Sequence, residues 1–103
     1  MRPILVSDVT SVARALLHVQ PDHRAVLVDR IFQDADFGDR YTRRFKRVHP
    51  NFGDGTLAAA ARKRPLADEP TFDDVQYCQS LKLVIAAILE KRSGFGQRSA
   101  SEL

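Results

Sequence analysis

Cysteine is almost missing from this sequence: Cys78 stands alone among 103 residues. No intramolecular disulfide can form, which excludes the framework that holds many small secreted domains together and points to a reducing compartment. The opening Met1-Arg2-Pro3, then Ile4-Leu5-Val6, lacks the apolar stretch of roughly 7 to 15 residues and the small-residue cleavage site of a secretory signal. Long apolar runs are missing too. The longest, 83–89, falls far short of the ~20 residues that span a bilayer. These absences predict a cytoplasmic protein that makes no use of a membrane. No segment alternates apolar and polar residues with a period of two, so the signal for a sheet is absent as well.

The motifs of common chemistries are also lacking. Neither Gly-x-x-x-x-Gly-Lys-Ser/Thr nor Gly-x-Gly-x-x-Gly occurs, and no serine stands in a Gly-x-Ser-x-Gly elbow. His18, His23 and His49, with Asp22 or Asp54 as oxygen donors, offer no pair at the helical spacing of a zinc motif. Cys78 falls on the apolar side of the last predicted helix with no histidine near in sequence, the setting of a buried and inert thiol. The expectation is therefore no metal, no cofactor and no catalytic residue. An enzyme would have to assemble His49 and Asp54 with His18 or His23 through folding.

What is present describes an ordinary folded domain. Apolar residues make up 44% and charged residues 28%, close to globular averages. The length supports one core, not two. The net charge of +3 is a mild excess that supports a local basic patch at most.

The periodicity is helical throughout. Val9, Val12, Ala13, Leu16 and Leu17 recur at three and four, predicting a helix over 9–19 with Ser7 or Asp8 as its cap. Pro21 fits the first turn of a second helix over 22–47, on which Leu27, Val28, Ile31, Phe32, Ala35 and Phe45 share a broad arc. Gly38 interrupts it and costs about 1 kcal/mol against alanine. The pairs Asp36/Arg40 and Asp39/Arg43 bridge the glycine in the favourable acid-first order, and one continuous helix is expected. His49-Pro50-Asn51-Phe52-Gly53-Asp54-Gly55 is dense in turn formers and ends it. Asp54 or Thr56 then caps a short alanine-rich helix over 57–63, closed by Pro65. The last helix, over 72–91, carries Val75, Cys78, Leu81, Ile85, Ile88 and Leu89 on one side, with Asp73 and Asp74 at its positive end and Lys91 and Arg92 at its negative end. The resulting fold is an all-α compact bundle of about four helices, the second and last long. The helical domain covers 1–92, and the small, glycine-rich segment 93–103 is expected to be a flexible tail.

Three features could carry a binding function. Arg40, Arg43, Arg44 and Arg47 fall within about 100° of arc, on the side away from Leu27, Tyr41 and Phe45. Such a stripe suits phosphates or the carboxylates of an acidic partner, but it equally suits a solvated helix end. Arg62, Lys63 and Arg64 form a second basic cluster that could converge with the first across the 49–55 turn. A helix-turn-helix reading of DNA fits poorly, because the methyl groups of 57–61 offer nothing to base edges. The run 83–89 is apolar all round, which calls for burial on more than one side: a central helix, or a homodimer contact through Leu83, Val84, Ala87 and Ile88. Gly53-Asp54-Gly55-Thr56 at a helix start has the outline of an anion cradle, though a capped tight turn accounts for it as well.

Arg2-Pro3 with Asp8-Val9, then Ala13-Arg14-Ala15-Leu16-Leu17, and later His49-Pro50 with Gly53-Asp54-Gly55-Thr56-Leu57 and the alanine run, resemble a group of short uncharacterised alphaproteobacterial helical proteins. The resemblance covers roughly the first two-thirds of the chain and implies a cytoplasmic bacterial protein without assigning any residue a role. The reading favoured by the sequence is a noncatalytic interaction module, homodimeric or bound to an acidic protein partner. The alternative is a nucleic-acid-associated accessory protein using the same arginines.

Overall fold

The computed structural model describes the backbone of residues 2–101 and the side chains of residues 2–92. Within these the chain folds as α1 (Val6–Leu16), a single 3-10 turn (Pro21–His23), α2 (Arg24–Phe45), α3 (Leu57–Arg62) and α4 (Val75–Ser101). It is the expected all-α bundle with long second and last helices. No helix among the described residues is long and apolar enough to cross a membrane. The backbone of α4 continues past the end expected near 91, to Ser101, and the flexible tail expected over 93–103 falls on residues whose side chains lie outside those described.

α1 starts at Val6, not Val9 as its apolar spacing suggests, because Asp8 caps from inside the first turn. Its Oδ2 accepts from the Leu5 N–H at 2.8 Å, while its Oδ1 accepts from the Ala58 N–H at 2.8 Å. One buried carboxylate thus satisfies amides at the starts of two helices lying side by side. Thr56 caps α3 as expected, its Oγ1 accepting from the Ala59 N–H at 3.1 Å. Asp74 does the same for α4, accepting from the Tyr77 N–H at 3.0 Å.

The core is built from Val12 and Leu16 of α1, Val28, Ile31 and Phe32 of α2, Leu57 and Ala61 of α3, and Tyr77 and Val84 of α4. α3 packs mainly on α1 and α2, and its alanines let the backbones approach closely. Arg24 fastens the corner where α1, α2 and α4 meet. Its Nε donates to the carbonyls of Leu16 at 2.9 Å and Val19 at 3.2 Å, and its Nη1 donates to Gln76 Oε1.

The face that α4 turns inward differs from the expected one. Tyr77, Ser80, Val84 and Ala87 are buried, whereas Val75, Ile85 and Leu89, expected in the core, are exposed and Cys78 is only half-buried at the edge. Seven apolar residues in a row carry no angular preference, so the position of the small Ser80 and Ala87 against the core decides the rotation.

Gly38 is the point of closest approach between α2 and the turn that follows it. A Cβ there would lie 2.7 Å from the Phe52 carbonyl oxygen and 2.8 Å from that of Gly53. The helix runs straight through, as expected, and the glycine makes room for a neighbour instead of breaking the helix. Gly55, at φ 104°, presses equally hard on the backbone of Asp39.

Candidate functional site

The last two turns of α2 pack on the 49–53 turn. That turn closes on itself: His49 and Gly53 exchange backbone hydrogen bonds of 3.2 and 3.0 Å, and His49 Nδ1 accepts from the amides of Asn51 at 2.9 Å and Phe52 at 3.1 Å. Held this way, the imidazole is the hub of an aromatic cluster. Its centroid lies 4.5 Å from Tyr41, 4.7 Å from Phe52 and 5.6 Å from Phe37, and Tyr41 in turn lies 4.6 Å from Phe45. The edge-to-face geometry of His49 with Tyr41 and with Phe37 fixes the rings as a group.

The cluster is not sealed. Phe37 is 47% exposed and Phe45 50% exposed. Beside them stand Arg40 and Arg44, and the four residues with Tyr41 line a shallow concavity. The Arg44 guanidinium lies 5.7 Å above the Phe45 ring. Two expectations are corrected here: Arg40 and Arg44 do not lie on the side away from Tyr41 and Phe45, and Phe45 is not a core residue. The sequence arc assumed a helix covered along its length by other helices, whereas this end is covered by a turn on one flank only.

The four arginines do not form one row. Arg40 pairs with Asp36 at 3.2 Å and Arg43 with Asp39 at 3.1 Å, the two i,i+4 pairs foreseen. α2 ends at Phe45 because Lys46 adopts a left-handed backbone at φ 58°, so Arg47 lies beyond the reversal. The second cluster divides as well. Arg62 and Lys63 face outward beside Val48 and Asp54, with Lys63 Nζ donating to the Pro50 carbonyl at 3.2 Å, so this pair does converge on the 49–55 turn. Arg64 turns inward, donating to Asp34 Oδ2 at 2.7 Å and the Ala60 carbonyl at 3.0 Å, and serves as a C-terminal anchor for α3.

The outlined anion cradle is filled by the protein's own groups. Asp54 Oδ1 accepts from the Thr56 N–H at 3.0 Å and its hydroxyl at 2.8 Å, and the amides of Ala58 and Ala59 donate to Asp8 and Thr56. The Thr56 amide bond holds the Asp54 carboxyl below its usual range, against the opposing effect of burial. His49 and Asp54, the pair an enzyme would have needed, are each committed to neighbouring amides. His18 and His23 are exposed. Among the described residues no group of three His, Cys, Asp or Glu side chains could hold a metal ion.

Of the proposed contact residues on α4, Val84 and Ala87 lie in the core, and Leu83 and Ile88 pack against it. Among the described residues the large apolar side chains that α4 leaves in solvent are Val75, Ile85 and Leu89. Sequence reasoning missed Phe37 altogether. It stands four residues before Tyr41 and three before Arg40, a spacing that could have flagged an aromatic patch joined to the stripe.

Residues 2–88 match the family model described as a domain of unknown function, DUF7742, and the chain belongs to that family. No curated protein and no solved structure matches it.

Proposed function

We propose that this DUF7742 member is a noncatalytic cytoplasmic interaction module that binds a short acidic segment of another protein on the face made by Phe37, Arg40, Tyr41, Arg44 and Phe45. The observation that supports this reading is the half-exposure of two phenylalanines directly beside two arginines. Aromatic and arginine side chains are the groups that dominate binding energy at protein interfaces. An apolar side chain of the partner would cover the rings, and its carboxylates would accept paired hydrogen bonds from the guanidinium groups.

Carboxylates within the stripe favour this over nucleic acid. Asp36 and Asp39 neutralise part of the charge of Arg40 and Arg43, whereas a phosphate backbone follows a run of uncompensated cations. With Arg64 turned inward, the second cluster adds only Arg62 and Lys63.

Fluorescence anisotropy with a labelled Glu/Tyr peptide, run beside an oligothymidylate of equal charge, tests the reading. The peptide is expected to bind, to lose about tenfold in affinity with Arg40→Glu/Arg44→Glu, and to lose a similar amount with Phe45→Ala. Arg62→Glu is expected to leave binding unchanged. Tighter binding of the oligonucleotide, falling steeply with salt and abolished by Arg43→Glu/Arg44→Glu, would transfer the face to nucleic acid. Binding of neither probe would overturn the proposal.

A further inference from the structure

The outer side of α4 carries a second surface, independent of the arginine–aromatic face. Val75, Cys78, Lys82, Ile85 and Leu89 follow one another at intervals of three and four, the a/d spacing of a coiled-coil seam. Val75 is 65%, Ile85 48% and Leu89 61% exposed, while the opposite side of the same helix is packed in the core. Nothing within the described chain covers the seam. Beside it Gln79 and Ala86 are exposed.

Among the described side chains the seam begins beside acidic residues and finishes beside Lys91 and Arg92, with Glu90 exposed on its flank. Asp73 precedes the first turn, beside Asp74, whose carboxylate is committed to the Tyr77 amide. At the other end Lys91 leans toward α2, its Nζ 5.9 Å from the Phe32 ring centre, which leaves Arg92 in line with Ile85 and Leu89. A surface acidic at one end and basic at the other complements itself when a copy is turned end for end. A parallel copy would set acid against acid and base against base.

We infer that the occupant of this face is a second copy of the chain, docked antiparallel about a two-fold axis near the middle of α4. In that arrangement the a positions of one protomer face the d positions of its partner. Cys78 lies against the partner's Leu89, Lys82 lays its aliphatic stem over the partner's Ile85 with the ammonium at the rim, and Asp73 approaches the partner's Arg92. The dyad repeats each contact and closes the assembly as a dimer.

Light scattering on the full chain tests this. A mass twice the 11.6 kDa of one chain is expected. Ile85→Asp/Leu89→Asp is expected to give a monomer with unchanged helical circular dichroism, both positions being exposed in the protomer. Asp73→Arg and Arg92→Asp should each weaken the dimer about tenfold, since each change alters two symmetry-related contacts, and the two combined in one chain should restore it. A monomeric wild-type chain at about 100 μM, a dimer that survives the aspartate pair, or a failure of the combined charge swap to rescue would each overturn the inference.

Discussion

At the start of α2 the guanidinium of Arg24 donates to two main-chain carbonyls and a glutamine, buried at a corner shared by three helices. At the other end of the same helix Arg44 lies over the Phe45 ring at the surface. The residue type is identical, and in sequence both read as contributions to the same mild positive charge. What separates them is the supply of acceptors. Arg24 faces the carbonyl of Val19 beyond the end of α1 and that of Leu16, whose main-chain donor is the Val19 N–H, whereas the end of α2 meets a turn in which the His49 and Gly53 carbonyls are already paired. Net charge therefore says little about function here until arginines committed to structure, such as Arg14, Arg24 and Arg64, are set aside.

Replacing each arginine by methionine, which keeps the length and removes the donors, sharpens this contrast most. Arg24→Met removes the side-chain donor from the Val19 carbonyl and leaves that of Leu16 only its bond from the Val19 N–H, and is expected to lower stability by about 3 kcal/mol. Arg44→Met is expected to stay within about 0.5 kcal/mol. Urea denaturation of the two variants gives the comparison directly, and equal midpoints would show that Arg24 is not a fastening.

A smaller effect, of unusual sign, is expected at Gly38. In an exposed helix Gly→Ala gains about 1 kcal/mol. Here the added methyl would sit 2.7 Å from one main-chain oxygen and 2.8 Å from another, neither of which can move without the turn. Gly38→Ala is expected to cost about 2 kcal/mol and to displace Phe52, disturbing the aromatic cluster at the same time. A stabilised variant with unchanged aromatic NMR shifts would mean that the turn is not pressed onto the helix.

The extent to which the sequence announced these features follows from how local they are. The helices, the continuity of α2 across Gly38, the Thr56 cap and the two arginine–aspartate pairs depend on residues within a few positions of one another, and all were legible. Asp8 capping α3 and Arg64 reaching Asp34 join residues 50 and 30 positions apart, and no periodicity encodes them. The rotation of α4 was illegible for a different reason: uniform apolarity over 83–89 erases the angular signal that marks a buried face. Of the proposed face the arginines were visible, but their partnership with Phe37 and Phe45 depends on where the 49–53 turn packs.

The smallest expected effect concerns the contrast between the filled cradle and the open aromatic face. Asp54 is held by the Thr56 amide and hydroxyl, and its carboxyl lies below the ordinary value of 3.8 in the folded chain. The unfolded chain therefore takes up this proton at higher pH than the folded one. Asp54 contributes stability that is fully present above about 3.8 and is lost as pH falls through the lowered folded value. The group is partly solvated, so the contribution is about 0.5 kcal/mol at most. Asp54→Asn, compared with wild type by urea denaturation at neutral and at acid pH, should be less stable at neutral pH and nearly equal in acid. If the gap stays the same at both pH values, the charge on Asp54 does not stabilise the turn, and the claim that the protein's own carboxylate fills the cradle falls with it.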